Sequence, residues 1–111
     1  MGTKGQTRTS AARDVATHAA ERLAPLGAVA PRGMFGGYGL FHDGVMFGLV
    51  DGKGLVHLRV DRETRPRFEA AGGQPHGKMP YVSVPPAVLA DDATFQSWAS
   101  DALATAHAAK K

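Results

Sequence analysis

The sequence predicts an α+β domain of two layers, an antiparallel sheet with helices covering one face. Three observations predict it. Met34 to Asp61 holds two β-hairpins in series, Phe95 to Ala106 carries apolar residues at helical spacing, and glycine or proline marks the boundaries between segments.

Residues 1–9 (MGTKGQTRT) are polar and unpatterned, and read as a disordered arm. Ser10 is a suitable N-cap for a first helix from Ala11 to about Ala24, with Val15, Ala19, Leu23 and Leu26 as its apolar stripe. Pro25 and Gly27 end it. Ala28 to Phe35 reads as an edge strand, because Pro31 has no amide proton and is tolerated there but not centrally. Gly36-Gly37 then bends the chain into a meander.

Tyr38 to His42 and Val45 to Val50 are joined by Asp43-Gly44, a dipeptide that favours the type I′ turn. This sets His42 opposite Val45, Leu40 opposite Phe47 and Tyr38 opposite Leu49. A second turn at Gly52-Lys53 puts Leu58 opposite Phe47 and Val56 opposite Leu49. One face then collects Tyr38, Leu40, Val45, Phe47, Leu49, Val56, Leu58 and Val60 as the core. The other face reads Phe41, Met46, Arg59 in one row and Gly39, Gly48, His57 in the next. Glycine opposite glycine would leave a trough walled by Phe41 and Met46 and ended by His57. A turn at Asp51-Gly52 instead would bring Leu55 beside Gly48.

Asp61 or Thr64 caps a second helix to about Ala71, with Pro66 in its first turn, Phe68 as its core anchor and Gly72-Gly73 as its stop. Met79 to Val84 is the fifth strand. Pro85-Pro86 leads into a short irregular or helical stretch. Asp91 or Asp92 caps the last helix, on which Phe95, Trp98, Ala99, Ala102, Leu103 and Ala106 share one face. Trp98, Phe47 and Leu58 are expected to be buried together. The order is α-ββββ-α-β-α.

A chain of 111 residues, 43% hydrophobic and 21% charged, fits one soluble globular domain. It has no apolar run long enough for a membrane span and no segment that reads as a signal peptide. With no cysteine, disulfides, thiolate metal sites and thiol nucleophiles are excluded, and a cytoplasmic location is expected. The net charge of +3 is mild, so nucleic-acid binding is expected to be weak at most.

Gly72 to Met79 (GGQPHGKM) fits G-x-x-x-x-G-K, but Met79 stands where a phosphate-binding loop needs a hydroxyl, and a strand follows instead of a helix. It reads as a connecting loop. The five histidines show no metal-ligand spacing, Ser83 has no nucleophile elbow around it, and no pair of carboxylates is forced together. No catalytic residue, metal site or cofactor is expected. Two surfaces remain. The candidate interface is Gly39, Phe41, Met46, Gly48, Val50, Leu55 and His57, an apolar patch suited to a partner protein or a second copy of the chain. The candidate anion or partner patch is Arg59, Arg62, Arg65, Arg67 and Lys78. A solvated helix face with local ion pairs competes with that second reading.

Met34-Phe35-Gly36-Gly37-Tyr38-Gly39-Leu40, Asp43 to Phe47, Leu58 to Asp61, Thr64 to Pro66, Phe68-Glu69, Gly77 to Tyr81, Val84-Pro85 and Trp98-Ala99 together resemble the N-terminal domain of the TfoX/Sxy proteins. The likeness covers about Val29 to Ala109. It implies a secretion-chaperone-like α+β fold, residues 10–111 as a single domain, and a role in regulating natural competence. Full-length members act with the cyclic-AMP receptor protein and carry a second, helical C-terminal domain, so a stand-alone N-terminal domain is expected here. A non-enzymatic accessory regulator of transcription, working by protein–protein contact, is therefore the leading expectation. A ligand-binding or enzymatic domain using the trough and a weak direct DNA binder are the alternatives.

Overall fold

The computed structural model describes residues 10–34 and 36–110. Helix α1 (Ser10–Arg22) runs through one 3₁₀ turn into β1 (Val29–Met34), β2 (Gly37–His42), β3 (Val45–Val50) and β4 (Val56–Arg59). Then come α2 (Arg65–Ala70), β5 (Tyr81–Ser83), α3 (Pro86–Leu89) and α4 (Asp92–Lys110). The strands form one sheet in the order β1-β2-β3-β4-β5, every neighbouring pair antiparallel. The α+β class and element order match the sequence reading; the arm 1–9 and Phe35 lie outside the described residues.

The core lies between the sheet and α1 and α4. From α1 and the turn after it, it takes Ala12, Ala16, Ala19 and Leu23, with Val15 and Leu26 packed at its border. The stripe is thus richer in alanine than expected, which lets the helix backbone lie close to the sheet. From α4 it takes Phe95, Ala99, Ala102, Leu103 and Ala106. Trp98 departs from expectation. It is half-buried at the border of the core, its ring 4.7 Å from that of Phe68 with the Arg67 guanidinium 4.3 Å away on it. Phe47 and Leu58 are fully buried without it as a central partner.

Both caps become specific. Asp61 Oδ1 accepts the amides of Glu63 and Thr64, while Thr64 Oγ1 accepts the amide of Asp61. The reciprocal bonds start the turn that leads into α2. Asp91 Oδ2 accepts both the amide and the hydroxyl of Thr94, which starts α4. These bonds hold the Asp61 and Asp91 carboxyls below their ordinary pKa, Asp61 chiefly through the Thr64 amide and Asp91 chiefly through the Thr94 hydroxyl.

The turn at Asp43-Gly44 has φ of +51° and +76°, the positive pair that type I′ requires. His42 faces Val45 and Phe41 faces Met46, as expected from that turn. Beyond them the predicted register fails. A β-bulge makes Phe47 the extra residue, so Leu40 faces Gly48, Gly39 faces Leu49 and Tyr38 faces Val50. The second connection is also longer than a two-residue turn. Asp51 N–H donates to Leu55 O and Gly54 N–H to Asp51 O, which pairs Leu49 with His57 and Gly48 with Leu58.

One inserted residue flips everything after it. Gly48 and Val50, assigned to the outer face, belong to the core face, and Val50 is a core residue. Leu49, assigned to the core, is buried on the outer face opposite Gly39 and His57. The reason is space. A Cβ on Gly48 would meet Leu40 Cδ1 at 3.2 Å and Leu58 Cδ2 at 3.4 Å, so two leucines already occupy the volume over the glycine.

Candidate functional site

The sheet's outer face contributes no strand residue to the helix-packed core. In the row nearest the Asp43-Gly44 turn it presents Ala30 from β1, Phe41 from β2 and Met46 from β3. In the next row it presents Arg32, Gly39, Leu49, His57 and Ser83, one from each strand. Arg59 of β4 pairs with Tyr81 of β5 beside the bulge.

No glycine trough exists here. Gly39 faces Leu49, and a Cβ built on it would lie 2.6 Å from Met34 Sδ, 2.8 Å from Phe41 Cε1 and 3.1 Å from Met46 Sδ. Two thioethers and a phenyl edge therefore close over it. Met34, Phe41 and Met46 are each half-buried, and the Arg32 guanidinium stands 4.3 Å from the Phe41 ring centre. The result is a soft apolar cluster with a cation on its rim. Leu55 lies at the β3–β4 connection, half exposed, and is the one large exposed hydrophobic among the described residues.

Tyr81 is almost fully buried and its hydroxyl donates to Met46 O across β4 at 3.2 Å. Burial pushes its pKa up, against the opposing pull of the Arg59 guanidinium. Arg59 carries a buried Nε without a hydrogen-bond partner among the described residues. It lines a cleft of about 300 Å³ with Gly44, Met46, Tyr81 and two alanines of α4.

His57 is buried, its Nδ1–H donating to Leu55 O at 3.0 Å. That bond fixes the tautomer, and desolvation holds the imidazole below its ordinary pKa. His76, in the segment between α2 and β5, meets it ring to ring at 4.8 Å. Asp51 lies close by, its Oδ1 accepting the amides of Lys53 and Leu55.

Two of the expected basic residues are held in ion pairs. Arg65 pairs with Glu69 at 3.4 Å and Arg67 with Asp101 at 3.0 Å, while Arg62 and Lys78 are exposed. Arg59 lines the cleft.

The geometry has a counterpart in sequence comparison: the TfoX N-terminal domain model matches residues 21–106. The chain belongs to the TfoX N-terminal domain family. None of the curated proteins compared with it matches. In this TfoX N-terminal domain the match runs from the end of α1 into the last turns of α4 and takes in the whole outer face. No described helix is long and apolar enough to cross a membrane.

Of the predicted interface residues, the structure gathers Gly39, Phe41, Met46 and His57 on one face. Gly48 and Val50 leave it, and Leu55 sits at its margin. Sequence reading did not place Arg32, Met34, Leu49 or Tyr81 in this group. Period-two alternation along the edge strand marks Arg32 and Met34, and Tyr81 alternates with core Val82. Leu49 has no comparable signal, because its face depends on the bulge.

Proposed function

We propose that this TfoX N-terminal domain is a non-catalytic accessory regulator that works by protein–protein contact through the outer face of its sheet. The process is transcriptional regulation of the natural-competence type, in the cytoplasm, with the cyclic-AMP receptor protein as the partner suggested by family resemblance. The observation that carries the reading is the Met34–Phe41–Met46 cluster over Gly39, rimmed by Arg32. Flexible thioethers beside an aromatic ring can repack against a partner of imperfect shape, and methionine is favoured at adaptable binding surfaces. An arginine on the rim supplies orientation.

The test compares wild type with Phe41→Ser/Met46→Ser in capture from native lysate, followed by direct binding to purified cyclic-AMP receptor protein. Wild type should retain a partner that the folded double variant loses. Equal retention by both proteins rules the face out.

One observation favours a second reading, a small-ligand-binding domain. The unpartnered Arg59 Nε borders a cleft of about 300 Å³, a size that suits a small anion-bearing molecule. Thermal shift against small carboxylates and phosphates, with Arg59→Met as control, distinguishes it from the first.

A further inference from the structure

We propose that His42, Asp43 and His107 form a binding site for a divalent first-row transition metal ion, for which Zn²⁺ is the probe. His42 Nδ1 lies 3.1 Å from His107 Nε2 and 3.7 Å from Asp43 Oδ2. A ligand atom from each residue falls within 4.8 Å of the others. Tetrahedral zinc with bonds of about 2.0–2.1 Å holds neighbouring ligand atoms roughly 3.3 Å apart. The triad is thus close to chelating separation before any ion enters.

The three residues are brought together by the fold. His42 ends β2, Asp43 opens the type I′ turn, and His107 lies near the end of α4, 65 positions from His42. The His42 ring is held from behind. A Cβ on Gly27 would come within 2.7 Å of its Nε2, so the turn between α1 and β1 closes that side while Nδ1 faces His107. On the open side Asp43 is 81% exposed against 19% for His42, which leaves the ion a path from solvent past the carboxylate.

The donor set defines the class of ion. Two imidazoles and a carboxylate, without sulfur, suit Zn²⁺, Co²⁺ or Ni²⁺ better than Ca²⁺ or Mg²⁺, which prefer oxygen. The His42–His107 contact holds one proton, since one ring must donate and the other accept. On metal binding that proton moves to the other nitrogen of its own ring, and both lone pairs turn to the ion. Binding requires both ligating nitrogens to present their lone pairs to the ion. Asp51, His57 and His76 form a second group with ligand atoms within 4.8 Å. There the imidazoles meet ring against ring and His57 Nδ1 is committed to Leu55 O, so that group serves as the control.

Calorimetric titration of the untagged, chelator-treated full chain with Zn²⁺ tests the site, with the Co²⁺ visible spectrum as a second readout of coordination. One ion is expected, bound in the micromolar range or tighter. Loss of a hydrogen-bonding partner outside the ligand set already costs about 10–100-fold in metal affinity, so His107→Gln should cost at least ~100-fold. Asp43→Asn, which keeps a residue tolerant of positive φ, should weaken binding about tenfold or more. His76→Gln should leave it unchanged, and circular dichroism should show each variant folded. Wild-type binding weaker than about 100 μM, or a loss on His76→Gln with His107→Gln unaffected, overturns the proposal.

Discussion

His57 shows how one side chain can carry a pH dependence. In the unfolded chain it titrates near 6.5, and burial lowers that value in the fold. Between the two values the unfolded state binds the proton and the native state does not, so stability rises with pH there. The contribution is complete above pH 6.5, declines as pH falls toward the folded value, and changes no further below it. The unfolding midpoint in urea should therefore drop on acidification from pH 7 to 5, and His57→Gln should flatten this slope. Asp61 and Asp91 act in a separate window. Their lowered pKa values add stability that is present above 3.8 and lost as pH falls through the folded values.

Two glycines make opposite predictions at the same scale. A Cβ on Gly48 would press on the His57 carbonyl at 3.0 Å and on two core leucines, so Gly48→Leu should cost roughly 3 kcal/mol or more by overpacking. At Gly39 the nearest atoms belong to the ends of Met34, Phe41 and Met46, two of them flexible. Gly39→Ala should displace them and change stability by less than about 1 kcal/mol. Equal losses in denaturant unfolding would mean that Gly48 does not face the core. Gly39→Ala is accordingly the variant with which to reshape the proposed contact face.

Among the elements, α4 has the most anchors. Phe95 is fully buried, Asp92 pairs with Arg22 of α1 at 2.7 Å, and Gln96 donates to Arg22 O. Phe95→Ala should cost ~3–5 kcal/mol. Trp98 is half-buried, and its contacts are with Phe68 and Arg67 at the border of the core, so Trp98→Ala should cost about half as much. A larger loss at Trp98 than at Phe95 would place the helix's main anchor at the wrong turn. Removing the α4 cap with Asp91→Ala should lower the thermal midpoint by a few degrees, and Asp91→Asn should recover most of it.

For the whole molecule, charge arrangement bears on nucleic acid. The net charge is only +3, and Arg22, Arg65 and Arg67 are each paired with carboxylates. Binding to duplex DNA should appear at low salt, show no sequence preference and fade by physiological salt. Sequence-selective binding tighter than about 10⁻⁷ M at physiological salt would refute this, because unspecific contacts reach only ~10⁻⁴–10⁻⁶ M. Self-association is the other whole-molecule property. If a second copy covers the outer face, sedimentation at micromolar concentration should give a dimer that Phe41→Ser/Met46→Ser converts to monomer.

Local rules explain the elements that are legible in the chain alone. Asp43-Gly44 specifies its turn because few other pairs accept two positive φ values in succession. Pro31 confines β1 to an edge, Asp61 and Asp91 cap because their carboxylates reach amides two or three residues on, and the α4 stripe follows from helical period. Family membership was legible as well, since it rests on residue order. Tertiary packing decided the rest. Whether Phe47 is an ordinary ladder residue or a bulge depends on Leu40 and Leu58 sharing the space over Gly48, a contact between three strands that no single segment encodes. That one bulge determines which face receives Leu49 and Val50 and whether a trough or a methionine-covered patch forms. The meeting of His42 and His107 was equally invisible. Sixty-five positions separate them, and only the packing of α4 along the sheet brings their nitrogens into contact.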